Sequence, residues 1–151
     1  MIEIKLNYKP IATPIKYNAY FKLVLLLAIV NYCGRSRKAS VLIIHLLFWA
    51  LRNEKNYCVI KAFARQERRT LVPWSFENGV EKVLTLAFVE GFCKKTIVSS
   101  RLDIIITDLG KSKLAEIEEL GGFTADIDKI KAIGPLMLSK VETANKNWEL
   151  I

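Results

Sequence analysis

The residue types here that could do chemistry are mostly cations. They recur as Arg35, Arg37 and Lys38 in one short turn, as Lys61, Arg65, Arg68 and Arg69 further on, and as Lys94, Lys95 and Arg101. Gripping a nucleic-acid backbone without reading its bases needs little beyond such positive charge. The same residues would also serve as a plain solubilising surface. His45 is the single histidine, which excludes every catalytic triad or metal site that needs two. Flanked by Ile44 and Leu46, it is expected to be a satisfied core or interface residue. Gly110-Lys111-Ser112 spells the end of a phosphate loop, but it lacks the glycine loop in front and falls at a helix start, so it reads as a chance match.

The acids offer no better constellation. Glu116, Glu118 and Glu119 form a solvated helix face, and Asp103 and Asp108 flank a strand whose side chains alternate faces, so they do not converge. Cys33, Cys58 and Cys93 are odd in number and make no zinc spacing with His45, which fits reduced thiols in a cytoplasmic protein. Trp49, Trp74 and Trp148 could stack on bases, although anchoring in a core or an interface suits them better. The expectation is a protein without cofactor, metal or catalysis.

Charge is divided unevenly among the 151 residues, whose net value is +8. Residues 1–70 carry 13 Lys and Arg against 3 Asp and Glu, whereas residues 71–151 carry 10 against 12. The first half therefore calls for an acidic partner, either nucleic acid or an acidic protein face. The apolar fraction is 52% and the mean hydropathy +0.22. That is generous for one domain, and it predicts that a second polypeptide covers part of the surface. Leu23 to Val30 and Val41 to Ala50 fall well short of a membrane span, and Met1 to Pro10 alternates instead of forming a signal peptide's apolar run.

These residues need elements to position them. Ile2, Ile4 and Leu6 alternate with polar neighbours and predict a short strand or extended arm. A helix from Tyr17 to Cys33 is expected to stop at Gly34, taken as a left-handed terminator. Ser36 or Ser40 can cap the next helix, which runs to about Arg52 and is apolar nearly all round, so it should be central or covered by another chain. Glu54-Lys55-Asn56 reads as a break before a helix from Tyr57 to Arg69. Ser75 is placed to cap a helix through about Glu90. A hairpin comes next (Phe92 to Val98, Ser99-Ser100-Arg101, Leu102 to Thr107), and Thr107 caps a helix over Asp108 to Leu120 that Gly121-Gly122 ends. A last helix from Ala125 to Trp148 should kink or break at Gly134-Pro135.

The run from Val83 to Phe92, with Gly91 ending the helix before an apolar residue, then the hairpin from Lys94 to Ile106, then Thr107-x-x-Gly110-x-x-x-Leu114, resembles the second half of a winged helix-turn-helix. The expected class is thus α+β, mostly α: a winged helix over 1–124 with an N-terminal arm, and a helical extension over 125–151. The helix before the wing offers Glu77, Asn78, Glu81, Lys82, Thr85 and Glu90, a poor set for reading base edges. In overall layout, and in the apolar Ser40 to Arg52 helix, the chain resembles the middle components of bacterial three-component ABC systems, including the small subunit of Lamassu-type defence complexes. That resemblance implies a non-catalytic subunit bound to an SMC-type ATPase, with a nuclease-like effector as a third partner. Leu42, Leu46, Trp49, Trp74, Phe88 and Trp148 are the expected partner-binding residues. The competing expectation is a winged-helix transcriptional regulator that binds duplex DNA.

Overall fold

The computed structural model describes residues 19–149. The predicted N-terminal strand over Ile2 to Leu6 lies outside them. Among these residues seven helices accompany one small antiparallel sheet, so the coarse expectation of a mostly helical α+β fold holds. In chain order the elements are α1 (Ala19–Cys33), β1 (Lys38–Ser40), α2 (Val41–Ala50), α3 (Glu54–Ala64), α4 (Val80–Val89), β2 (Cys93–Val98), β3 (Arg101–Ile106), α5 (Asp108–Glu119), α6 (Thr124–Ile133) and α7 (Leu138–Asn145). No helix among the described residues is long and apolar enough to cross a membrane.

The centre of the fold is α1. Leu23 to Val30 are buried without interruption, because α1 packs on α2, α4, α5, α6, β1 and β3. All-round apolarity is what a helix with no solvent face requires. Tyr32 near its end donates to Glu118 of α5, and Lys131 of α6 meets the same carboxylate at 2.7 Å. Burial pushes the Glu118 carboxyl up, but the Lys131 and Tyr32 hydrogen bonds outweigh it and hold the group below its usual range.

Gly34 follows α1 for a different reason from the one expected. It is not left-handed; a Cβ there would collide with the carbonyl oxygens of Val30 and Lys38. The left-handed residues are Ser36 (φ 55°) and Arg37 (φ 67°), beyond Arg35, at the tip of a tight turn closed by Arg35 N–H to the Lys38 carbonyl at 2.8 Å and its reciprocal at 3.2 Å. Two such residues match the twist that joins antiparallel strands. The turn delivers β1, and Ser40 then caps α2 by accepting from the Ile43 N–H at 3.2 Å.

Three boundaries differ from expectation. Glu54-Lys55-Asn56 is the first turn of α3 and not a break, since Asn53 accepts from the Asn56 N–H at 2.8 Å. Accordingly α3 ends early, at Ala64, with Gln66 left-handed behind it (φ 62°). Ser75 caps nothing: residues 73–79 run without regular structure and α4 starts only after Gly79, at φ 82°. Glycine there is permitted a conformation that would strain other residues.

The hairpin and the helix after it conform closely. Ser99 and Ser100, both left-handed, join β2 to β3, and β1 adds to β3 to give the sheet order β1-β3-β2. At the end of α4 the Phe92 N–H reaches the Ala87 carbonyl at 2.9 Å around left-handed Gly91, a Schellman closure. Thr107 ties two elements together. Its hydroxyl donates to the Gly91 carbonyl at 2.6 Å and accepts from the Gly110 N–H at 3.0 Å. Gly110 itself is held so near the Phe92 carbonyl that a side chain would not fit.

The segment after residue 124 is part of the same body. It divides into α6 and α7 at Gly134-Pro135, as proline requires. Ile127, Ile130, Ile133, Leu136, Val141 and Ala144 belong to the one hydrophobic core. The chain end returns to Leu71, whose carbonyl accepts from the Glu149 N–H at 2.7 Å.

Candidate nucleic-acid interface

Strand pairing decides which cations share a surface. Lys38 lies opposite Ile105, and Lys94 lies opposite Ile105 from the other side. Directly paired residues project from the same face, so Lys38, Ile105 and Lys94 form one row, with the two lysines about 10 Å apart across two strand spacings. The next row on that face is Ser40, Asp103 and Thr96, and Arg101 comes after it. The other face, through Ala39, Cys93, Ile104 and Ile106, is buried in the core. Lys95 pairs with Ile104 and so belongs to that second face, yet it stays exposed on the edge strand.

Of the ten predicted cations, then, the sheet's outer face collects Lys38, Lys94 and Arg101, and Arg35 joins them beside a small pocket shared with Lys38 and Arg101. Arg37, in the same turn, is spent elsewhere: it reaches Asp108 at 2.8 Å and the Ile106 carbonyl at 3.3 Å. The second group does not join the first through any described contact. Lys61 lies 5.8 Å from the Tyr57 ring centre. Arg65 stands at the C-cap of α3, where a helix favours positive charge. Arg68 donates to the Thr70 carbonyl at 2.6 Å, and Arg69 is exposed. Local structure accounts for Lys61, Arg65 and Arg68, and gives Arg69 no partner among the described residues.

The expected partner-binding residues divide sharply. Leu46 is wholly buried and Trp49 nearly so, and α2 as a whole is sealed inside this chain, packed by α1, α3 and β1. Of the two expectations for this helix, a central place or cover by another chain, the first is met, and the partner-binding role expected of Leu46 and Trp49 is corrected. Leu42 and Phe88 are half-buried against the same core. Trp74 and Trp148 lie elsewhere. Both indole N–H groups donate to Asn145 Oδ1, at 2.7 and 3.3 Å, and Trp148 keeps half its surface exposed.

Beside them stands Phe76, a residue whose position the sequence did not reveal. It is 60% exposed, packs 5.5 Å from Trp74 and stacks on His45 at 4.2 Å. Two aromatics at alternate positions, Trp74 and Phe76, in a segment without helical spacing could have signalled an extended aromatic strip. His45 is buried, and its Nδ1 accepts from the Glu77 N–H at 3.0 Å. Burial lowers its pKa, opposed by Glu81 and Glu77 and aided by Arg52.

Glu77 also corrects the electrostatics expected of the helix before the wing. It precedes α4 and is engaged by Lys22 at 2.9 Å and Arg52 at 3.0 Å. These groups line a groove of about 850 Å³, whose cations are thereby neutralised from within. What α4 presents to solvent is Glu81, Lys82, Thr85, Val89 and Glu90. Lys82 is the single cation among them, set against Glu81 and Glu90, and no arginine, asparagine or glutamine is present, so the face is a poor set for reading base edges beside phosphates. Among the described residues no group of three His, Cys, Asp or Glu could hold a metal ion. Comparison with family profiles, with curated proteins and with solved structures returns no match.

Proposed function

We propose that this chain is a non-catalytic winged-helix accessory subunit of a multi-subunit SMC/ABC-type ATPase complex, acting in bacterial defence against phage or plasmids beside a nuclease-like effector. The order α1-β1-α2-α3-α4-β2-β3, with β1 inserted against β3, supports a winged helix in which β2 and β3 are the wing and α4 occupies the reading position. The assignment to an ATPase complex rests on the resemblance of layout to the small subunits of Lamassu-type systems.

One observation carries the choice of accessory subunit over regulator. The exposed face of α4 offers one lysine against two acids and no arginine, asparagine or glutamine, while Lys38, Lys94 and Arg101 lie on the sheet beside it. Such a surface holds phosphates and ignores sequence. With α2 sealed, the docking surface for the ATPase is the strip of Trp74, Phe76 and Trp148, because exposed aromatics over a rigid base make strong interface anchors.

The test is co-purification from the native operon, paired with duplex binding measured over a range of salt. Recovery with an ATPase subunit, and affinity that falls with salt but not with sequence, is the expected result. A chain that purifies alone and prefers one operator over random duplex would make it a winged-helix transcriptional regulator instead.

A further inference from the structure

We infer that the pocket between the Arg35–Lys38 turn, β1 and β3 is a discrete site for one phosphate group. It encloses about 140 Å³ and is lined by Arg35, Lys38, Ser40, Arg101 and Asp103, with apolar Ile43 and Leu136 among the residues of its wall. That leaves room for a tetrahedral oxyanion, since a single water needs only about 10–15 Å³ of such space.

The charges fit such an occupant. Three cations face one carboxylate, and that carboxylate is already used: Asp103, 4% exposed, accepts from Arg101 Nε at 3.3 Å. The contact fixes the guanidinium by one edge, and its terminal nitrogens donate to no other described residue. Arg35 and Lys38 make no ion pair among the described residues. Arginine's planar fork suits phosphate oxygens, and lysine adds a point charge.

A second feature points the same way. The Ser40 hydroxyl is buried on the pocket wall and accepts from the Ile43 N–H, but its own proton goes to no described acceptor. A buried donor left over is costly unless something accepts from it. A phosphate oxygen does so. Asp103 acts here as a positioning residue that holds Arg101 in place.

This site deepens the nucleic-acid half of the proposed function and rests on it for the source of the phosphate, which is the DNA backbone. Two arms keep the claims apart. In the first, inorganic phosphate is titrated into the whole protein and amide signals are followed by NMR at constant ionic strength. The signals of Gly34 to Ser40 and the Arg101 Nε–H shift saturably, and in R35Q/K38Q they do not. Phosphate acting no differently from chloride overturns the site.

In the second arm, binding of a short random duplex is measured against salt for the wild type, R35Q/K38Q and K94Q/K95Q. Removing one phosphate contact flattens the log–log slope of the pocket variant by about 0.9. An unchanged slope overturns the DNA source. Should phosphate saturate the pocket while the wild type ignores duplex, the site stands and the DNA reading of the function fails. Both substituted side chains reach solvent, and a melting curve matching the wild type shows that the variant is folded.

Discussion

The backbone N–H of Glu77 donates to His45 Nδ1 at 3.0 Å, so the loop before α4 is buttoned to the interior of α2 through an unprotonated imidazole nitrogen. Phe76 lies flat on the same ring, 4.2 Å away. The pose of the exposed aromatic strip therefore depends on one buried histidine remaining neutral.

Stability should accordingly vary with pH. Burial depresses the His45 pKa below its unfolded value of about 6.5. The folded protein thus binds the proton less readily than the unfolded chain, and stability that is fully present above pH ~6.5 is lost as pH falls toward the folded pKa. Urea titrations between neutral and mildly acidic pH should show this loss, and His45→Asn, which keeps an acceptor without titrating, should flatten it. The same slope in that variant would remove His45 as the cause.

Leu46 tests whether α2 is core or interface. Leu46→Ala should lower stability by about 2–5 kcal/mol, the range for truncating a fully buried leucine. Phe76→Ala should cost far less stability, yet weaken capture of the proposed ATPase partner at least tenfold, as loss of an aromatic anchor commonly does. Denaturant curves and a pull-down read the two effects separately, and a stable L46A protein that loses its partner would reverse the assignment.

Thr107 and Gly110 form the joint between the β2–β3 hairpin and α5. Thr107→Val removes both a cap and a hydroxyl donor and should cost about 1–2 kcal/mol, with Thr107→Ser recovering most of it. Gly110→Ala forces a methyl group against the Phe92 carbonyl and to within 2.8 Å of Ile106 Cγ1, and should cost about 3 kcal/mol or more. Gly122→Ala is the control, since its nearest neighbour would be an ordinary 3.6 Å away. Equal melting temperatures for the two alanine variants would refute the tight joint.

Thiol reactivity gives an independent check of burial. Cys33 and Cys93 are buried, and burial pushes both thiols up to about 12, whereas Cys58 is exposed on α3. Because the thiolate is the reactive form, a maleimide at neutral pH should label Cys58 alone in the native protein and all three cysteines in denaturant. Fast native labelling of Cys33 would mean that the end of α1 opens.

What could be read from the sequence was local. Gly91, the Ser99-Ser100 turn, Thr107 with Gly110, and the Gly134-Pro135 break each fix a conformation from their own chemistry, and each sits where expected. Elements specified by distant partners were not legible. β1 is only three residues long, too short for an alternating pattern, and exists because β3 pairs with it. Asn53 was a readable cap, but three polar residues after it masked the start of α3. The loop over 73–79 has apolar content that mimics a helix, and its path is set by Arg52, which reaches Ser75 Oγ and the Ser75 and Phe76 carbonyls. Of the candidate site, the cations were visible individually. Their division between sheet face, helix end and internal ion pairs required strand register.

The central placement of α1 has a consequence for how the protein is made. Its sheath includes α4, α5 and α6, all of which the ribosome delivers after α2 and α3. At about 5–20 residues per second, on the order of ten seconds pass between the emergence of α1 and that of α6. Throughout that interval the greasiest stretch of the polypeptide has too few neighbours to fold against, which makes the nascent chain a natural client for a ribosome-associated holdase.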